Sequence, residues 1–251
     1  MKRIIAIVLT VLMIAAVTAG CNQKVGSGTT SATSKSESKS ESKADTAETA
    51  AKDAKSTEAL LNIDDVPAPD LDKADAEYQK KAPEQGEEVA ILHTNYGDIS
   101  FKFFPEVAPK AVNSFKALAK DHRYDGTIFH RITKPETSGI GVVQGGDYTN
   151  FNGTGGVSAY GTGFGLEVSD YLSNTEGSVA MARSQDPNSN GSQFYINSTN
   201  NNSLDGQYTV FAQVYDGMDV VSTLAKVQTG QNDKPVKDVV LQSVEIVEYS
   251  K

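Results

Sequence analysis

The sequence predicts an all-β domain, a barrel or a sandwich carrying two helices, over residues 87–251. Three observations predict it. Short apolar runs recur between turns rich in glycine, asparagine and aspartate along this whole stretch. Only two segments show helical spacing of their apolar residues. The stretch is about 165 residues long, enough for one domain with a proper core.

Residues 89–94 read as the first strand. Asn95-Tyr96-Gly97-Asp98 is a turn, after which Ile99, Phe101 and Phe103 alternate with Ser100 and Lys102, so a hairpin is expected. Pro109 suits the first turn of a helix, where its missing N–H would have no partner, and Val112, Phe115, Leu118 and Ala119 share one face beyond it. Asp125-Gly126 marks the end of that region. Further strands are expected at 127–133, 142–144, 178–183, 194–197, 209–214 and 239–248. A second helix is expected over 218–226, with Met218, Val221, Leu224 and Ala225 facing inward.

The first 86 residues have a different texture. Lys2 and Arg3 precede an apolar run of fourteen residues, 4–17, too short for a comfortable membrane span. Small residues follow, then Cys21, the only cysteine of the chain. Residues 1–20 resemble a bacterial lipoprotein signal, although Thr18 stands where a leucine-like residue is usual. That resemblance implies lipidation of Cys21 and an extracytoplasmic chain anchored to the cell membrane without spanning it. One cysteine makes no internal disulfide. Residues 21–58 are Ser, Thr, Ala, Lys and Glu with almost no large apolar side chain, which predicts a disordered tether. Residues 59–86 are acidic and contain prolines, with a small apolar patch at Leu60, Leu61, Ile63 and Val66. They read as a linker or as a segment docked on the domain, the linker reading being favoured by the acids and prolines.

The chemistry-bearing residues are few. The formal net charge is -9, which argues against a nucleic-acid partner. His93 and His122 have no ligand-spaced partners, so no metal and no cofactor are expected. What stands out is one fixed cation, Arg131, with two amides, Gln144 and Gln193, and apolar or aromatic residues such as Val142, Tyr195 and Leu204. There is no evident nucleophile–base pair. Such a set suits a reaction in which a bond is twisted and not broken.

The blocks Phe129-His130-Arg131-Ile132, Gln144-Gly145-Gly146-Asp147, Gly153-Thr154-Gly155-Gly156, Met181-Ala182, Asn190-Gly191-Ser192-Gln193-Phe194-Tyr195-Ile196 and Leu204-Asp205-Gly206 resemble the cyclophilin peptidyl-prolyl isomerases in order and spacing. The resemblance covers residues 87–251. It implies a closed eight-stranded antiparallel β-barrel with a helix closing each end, and a substrate groove on the barrel's outer face. It implies catalytic roles for Arg131 and Gln144, the glutamine orienting the arginine or holding the substrate carbonyl. Gln193 would line the groove, the backbone of Arg183 would bind an extended peptide, and Val142, Tyr195 and Leu204 would wall the pocket for the proline ring. His130, Ala182 and Tyr208 complete the implied substrate-binding set, Tyr208 standing where many relatives carry histidine. Four departures are visible, one of them Tyr195 where many relatives carry a wall phenylalanine. Residues 133–141 form a longer loop than in compact relatives. The phenylalanine usual at the pocket floor is replaced by Ile140 or Gly141. Ser203 stands where cyclosporin-sensitive members carry tryptophan, so weak or no cyclosporin binding is expected.

Rotation about an X-Pro bond crosses a barrier of about 18–20 kcal/mol set by amide resonance. In the twisted state the prolyl nitrogen regains its lone pair and becomes a better acceptor. A preorganised donor aimed at it binds that state more tightly than either planar one. Arg131 is such a donor, always charged and carrying N–H groups in a rigid fork. The expected function is therefore an isomerase for exported or surface polypeptides that contain proline. The rival is a surface module or chaperone that binds proline segments without turning them, a reading kept open by the long loop after Arg131. No heptad or repeat argues for assembly, and a monomer is expected.

Overall fold

A computed structural model describes residues 55–251. The residues read as an export signal, Cys21 and the stretch read as a tether up to residue 54 lie outside the described residues.

Among the described residues, nine strands form one antiparallel sheet: β1 (Glu88–Thr94), β2 (Gly97–Phe103), β3 (Thr127–Ile128), β4 (Arg131–Ile132), β5 (Val142–Gly145), β6 (Ser178–Met181), β7 (Phe194–Asn197), β8 (Val210–Asp216) and β9 (Val240–Glu248). Their order is β3-β9-β1-β2-β8-β6-β7-β5-β4. The expected hairpin is β1–β2, closed tightly enough that Thr94 pairs with Gly97. The run 127–133, expected as one strand, is two. Thr127 and Ile128 pair with β9, whereas Arg131 and Ile132 pair with β5 at the other end of the sheet. Only Phe129 and His130 separate them, so the chain must bend there to serve both ends of a curled sheet. The strand expected over 178–183 stops at Met181, and that expected over 209–214 runs on to Asp216.

Helix α1 spans Pro109–Lys120 and buries Val112, Phe115, Leu118 and Ala119, the face with helical spacing. Its N-cap residue is Ala108, which offers no side-chain acceptor. Glu167 replaces it from a distant loop, accepting from the backbone N–H groups of Lys110 and Ala111, each at 3.0 Å. Those are helix-end donors that would otherwise lack partners. A single-turn helix, α2, covers Pro135–Ser138 inside the long loop. Helix α3 covers Met218–Leu224 and buries Val221 and Leu224. Among the described residues, no helix is long and apolar enough to cross a membrane.

Strand alternation sends the two faces of the sheet to two apolar clusters. Val143, Val179, Met181, Phe194 and Ile196 enter the main core, where Phe115 packs against Phe101, Tyr124, Phe194 and Phe211. Val142, Ala180 and Tyr195, one residue out of phase, join Phe104, Val107 and Leu172 in a second cluster on the opposite face. The candidate site lies on that second face.

Residues 55–86 lie along the domain. Lys55 donates to the carbonyls of Arg123 at 3.2 Å and Asp125 at 2.7 Å, and the buried Arg123 guanidinium donates to the carbonyls of Ser56 and Glu58. The backbone of Leu60 and Leu61 bonds Ala159, and Leu61, Ile63 and Val66 pack on the main core. Ala74 and Tyr78 join the second cluster, and Gln79 bonds both Ser173 and Gln213. Residues 55–58, assigned from composition to the tether, and the acidic segment after them thus contact the sheet, its helix and its loops. A few apolar side chains outweigh the surrounding acids here, because those acids point to solvent.

Candidate active site

Register assembles the site. Arg131 pairs with Gln144 across β4 and β5, Gln144 with Tyr195 across β5 and β7, and Tyr195 with Ala180 across β7 and β6. Directly paired residues present their side chains on one face. Val142 and Gln193 lie two residues along their chains from Gln144 and Tyr195 and share that face.

A groove of about 660 Å³ opens over this rank. Arg131, Gln144, His130, Val142, Tyr195 and Leu204 line it, with Ala182, Arg183 and Tyr208. A second hollow of about 320 Å³ shares Gln144, Ala182 and Arg183 with it and has Gln193 in its wall. All ten groove residues singled out in the sequence are therefore brought to one region.

The amides form a directed chain. Gln193 Nε2 donates to the carbonyls of Gly153 at 2.9 Å and Gly155 at 2.8 Å. Two carbonyls can only accept, so the amide oxygen of Gln193 must face the other way. There it accepts from Gln144 Nε2 at 3.0 Å, and the oxygen of Gln144 in turn lies 3.4 Å from Arg131 Nη1. The loop thus sets the sense of both glutamines. The arginine side chain is 41% exposed, and its Nε is 3.5 Å from Asp233 Oδ2, a single long ionic contact and not a bidentate pair.

The loop that starts this chain is organised by Asp147. Its buried carboxylate accepts from the backbone N–H groups of Thr149, Asn150, Asn152, Gly153 and Gly155 at 2.9–3.2 Å. Burial alone would raise its pKa, but these donors hold it below the usual carboxylate range. Gly153 has φ +91 and passes so close to His130 that a Cβ would sit 2.7 Å from the ring. His130 is buried beneath it, and burial pushes its imidazole pKa down. Its Nδ1 has no hydrogen-bond partner among the described residues. The ring is enclosed beneath that glycine and borders the groove.

The apolar end is built from Val142, Tyr195, Leu204 and Ile140. Tyr195 donates its hydroxyl to Asn174 at 2.8 Å, and Tyr208 meets its ring edge-on at 5.9 Å. Arg183 stacks over Tyr208 at 4.8 Å and donates to the Gln207 carbonyl, so its side chain is held at the groove's edge. The long loop is pinched at its base, where Thr133 Oγ1 donates to Ile140 O and accepts from Val142 N. Asn201 clamps both the N–H and the carbonyl of Gly141. The loop therefore returns Ile140, not Gly141, to the groove. Ser203 is exposed on a 3-10 turn and does not border the groove.

Sequence reasoning missed the wall formed by Gln231, Asn232, Asp233 and Lys234, beside Arg131. The segment reads as a polar turn, and nothing in its spacing links it to a strand so far back in the chain. It also missed Asn174 and Asn201, which support the pocket from behind. Among the described residues no group of three or more His, Cys, Asp or Glu could hold a metal ion.

Comparison with known proteins accords with this geometry. Residues 89–246 match the family described as cyclophilin type peptidyl-prolyl cis-trans isomerase/CLD. A putative peptidyl-prolyl cis-trans isomerase of Staphylococcus aureus is 36% identical over 196 residues, covering 67% of this chain and 96% of that protein. Peptidyl-prolyl cis-trans isomerase 9 of Schizosaccharomyces pombe is 40% identical over 158 residues, 63% of this chain but only 25% of the yeast protein. The crystal structure of a Cryptosporidium parvum cyclophilin type isomerase, solved in the presence of the dipeptide Ala-Pro, superposes with a TM-score of 0.59 at 34% identity, covering 65% of this chain and 99% of that one. By sequence and fold, the chain belongs to the cyclophilin-type peptidyl-prolyl cis-trans isomerases.

Proposed function

We propose that this isomerase turns X-Pro bonds in exported or surface polypeptides, and that Arg131 supplies the decisive contact by hydrogen-bonding the prolyl nitrogen of the twisted amide. The observation that carries this reading is the half-exposed guanidinium at the groove, oriented through Gln144 and Gln193. The proline ring fills the space between Val142, Ile140, Tyr195 and Leu204, while the extended peptide runs along Ala182 and Arg183. Gripping the ring while the preceding carbonyl turns, the site lowers the barrier without covalent chemistry. Uncatalysed rotation takes tens to hundreds of seconds, slow enough to limit folding. The family's closed eight-stranded barrel is read here as the nine-strand sheet with β3 and β4 counted as two halves of one bent strand.

NMR exchange on an Ala-Pro peptide tests the mechanism. Arg131→Ala is expected to lower kcat/KM by about a hundredfold or more, the loss of one preorganised donor of about 3–4 kcal/mol. Equal rates for variant and wild type would remove the arginine from the mechanism. Peptide binding by wild type without acceleration would favour the non-catalytic proline-binding module.

A further inference from the structure

We propose that Asp233 is a positioning residue for Arg131, holding the guanidinium from its Nε side while Gln144 holds it at Nη1. The inference rests on the arginine mechanism proposed above and names the group that aims the donor.

Asp233 belongs to a turn before β9, tied off by a bridge between Thr229 and Pro235 and by Gly230 N–H donating to Lys234 O at 2.8 Å. This turn supplies the groove wall on the arginine's side. Asp233 Oδ2 lies 3.5 Å from Arg131 Nε, and Gln144 Oε1 lies 3.4 Å from Nη1. One acceptor leaves an arginine head free to swing about that contact. A hydrogen bond at Nη1 and an ionic contact at Nε restrain the head group at two of its nitrogens and leave Nη2 to face a ligand. Because neither contact is short, the head group is aimed without being sequestered.

The backbone points the same way. Asn232 and Asp233 are consecutive non-glycine residues with positive φ, 59° and 58°. Side chains are disfavoured in that region, asparagine and aspartate least so. Such conformations persist where the surroundings require them, and they concentrate at functional sites. Glycine would fit the backbone at 233 more easily but would bring no carboxylate to the arginine.

The test uses the full chain, the Ala-Pro exchange assay and a double-mutant cycle. Asp233→Gly relieves the backbone while removing the carboxylate, so lost stability cannot account for a lost rate. Its kcat is expected to fall about tenfold through misaiming of the donor, with KM within about twofold and an unchanged or higher Tm. Asp233→Glu is expected to recover part of the loss. In an Arg131→Ala background Asp233→Gly is expected to change nothing further, because the aspartate acts only through the arginine. Wild-type kcat in Asp233→Gly would overturn the proposal, as would an equal fractional loss in both backgrounds. If Arg131→Ala is slow and Asp233→Gly is not, the positioning role alone falls. If Arg131→Ala is as fast as wild type, the mechanism and the positioning role fall together.

Discussion

Arg131 stands on a strand of two residues, and the orientation of its head group depends on groups that hold it at a distance. Two of these, Gln144 and Gln193, were legible in the sequence, because the motif blocks carry them and strand alternation puts them on the arginine's face. Asp147 was legible as a motif member but not as the hub of a loop. Five backbone N–H groups converge on a carboxylate that is fully buried. Asp147→Ala leaves those donors without their acceptor, and a loss of about 3 kcal/mol is expected, since bonds to charged groups contribute about 1.5–3 kcal/mol each and water recovers part. Urea unfolding checks it. Because the folded carboxyl titrates below its unfolded value, its contribution is present above about pH 4 and is lost as pH falls through the folded pKa. The stability gap between wild type and Asp147→Ala should therefore narrow as the pH drops below about 4.

At the scale of elements, periodicity located the strands and both longer helices, and missed what one element does for another. Residues 127–133 have strand composition throughout, and no local signal marks the bend at Phe129-His130 that sends β3 and β4 to opposite ends of the sheet. Helix α1 lacks a cap in its own sequence and takes one from Glu167. The segment 55–86 is the largest case. Composition favoured a linker, yet its apolar side chains pack on both clusters and the buried Arg123 bonds its carbonyls. A chain beginning at residue 87 exposes those contacts and strips Arg123 of two acceptors. Partial burial of Leu61, Ile63, Val66 and Tyr78, with the lost bonds, amounts to about 3 kcal/mol or more. Tm should fall by roughly 6–12 °C for a domain of this size. Scanning calorimetry of the chain from 55 and the chain from 87 decides, and equal midpoints would return the segment to the linker reading.

For the whole molecule, the export reading rests on Lys2-Arg3, the apolar run 4–17 and Cys21, all outside the described residues. A lipid on Cys21 and a polar tether would keep the groove near a membrane surface while leaving it free to meet clients. Cys21→Ser is expected to move the protein from the membrane fraction to the soluble extracytoplasmic fraction with unchanged turnover on a peptide. Fractionation of cells expressing each form checks this, and a membrane-bound serine variant would refute the lipid anchor.

The sequence by itself pointed to the family, through motif blocks that carry Arg131, Gln144 and Gln193, and to the alternation of side chains along each strand. Those features are local: the pleat turns successive side chains to opposite faces whatever the rest of the chain does. Only the tertiary structure decided that Asp233 meets the arginine, that Ile140 closes the apolar end, that Glu167 caps α1 and that residues 55–86 lie on the domain. Each of those pairs residues far apart in sequence. The whole sheet must curl and pack before they meet, and no window of neighbouring residues carries that information.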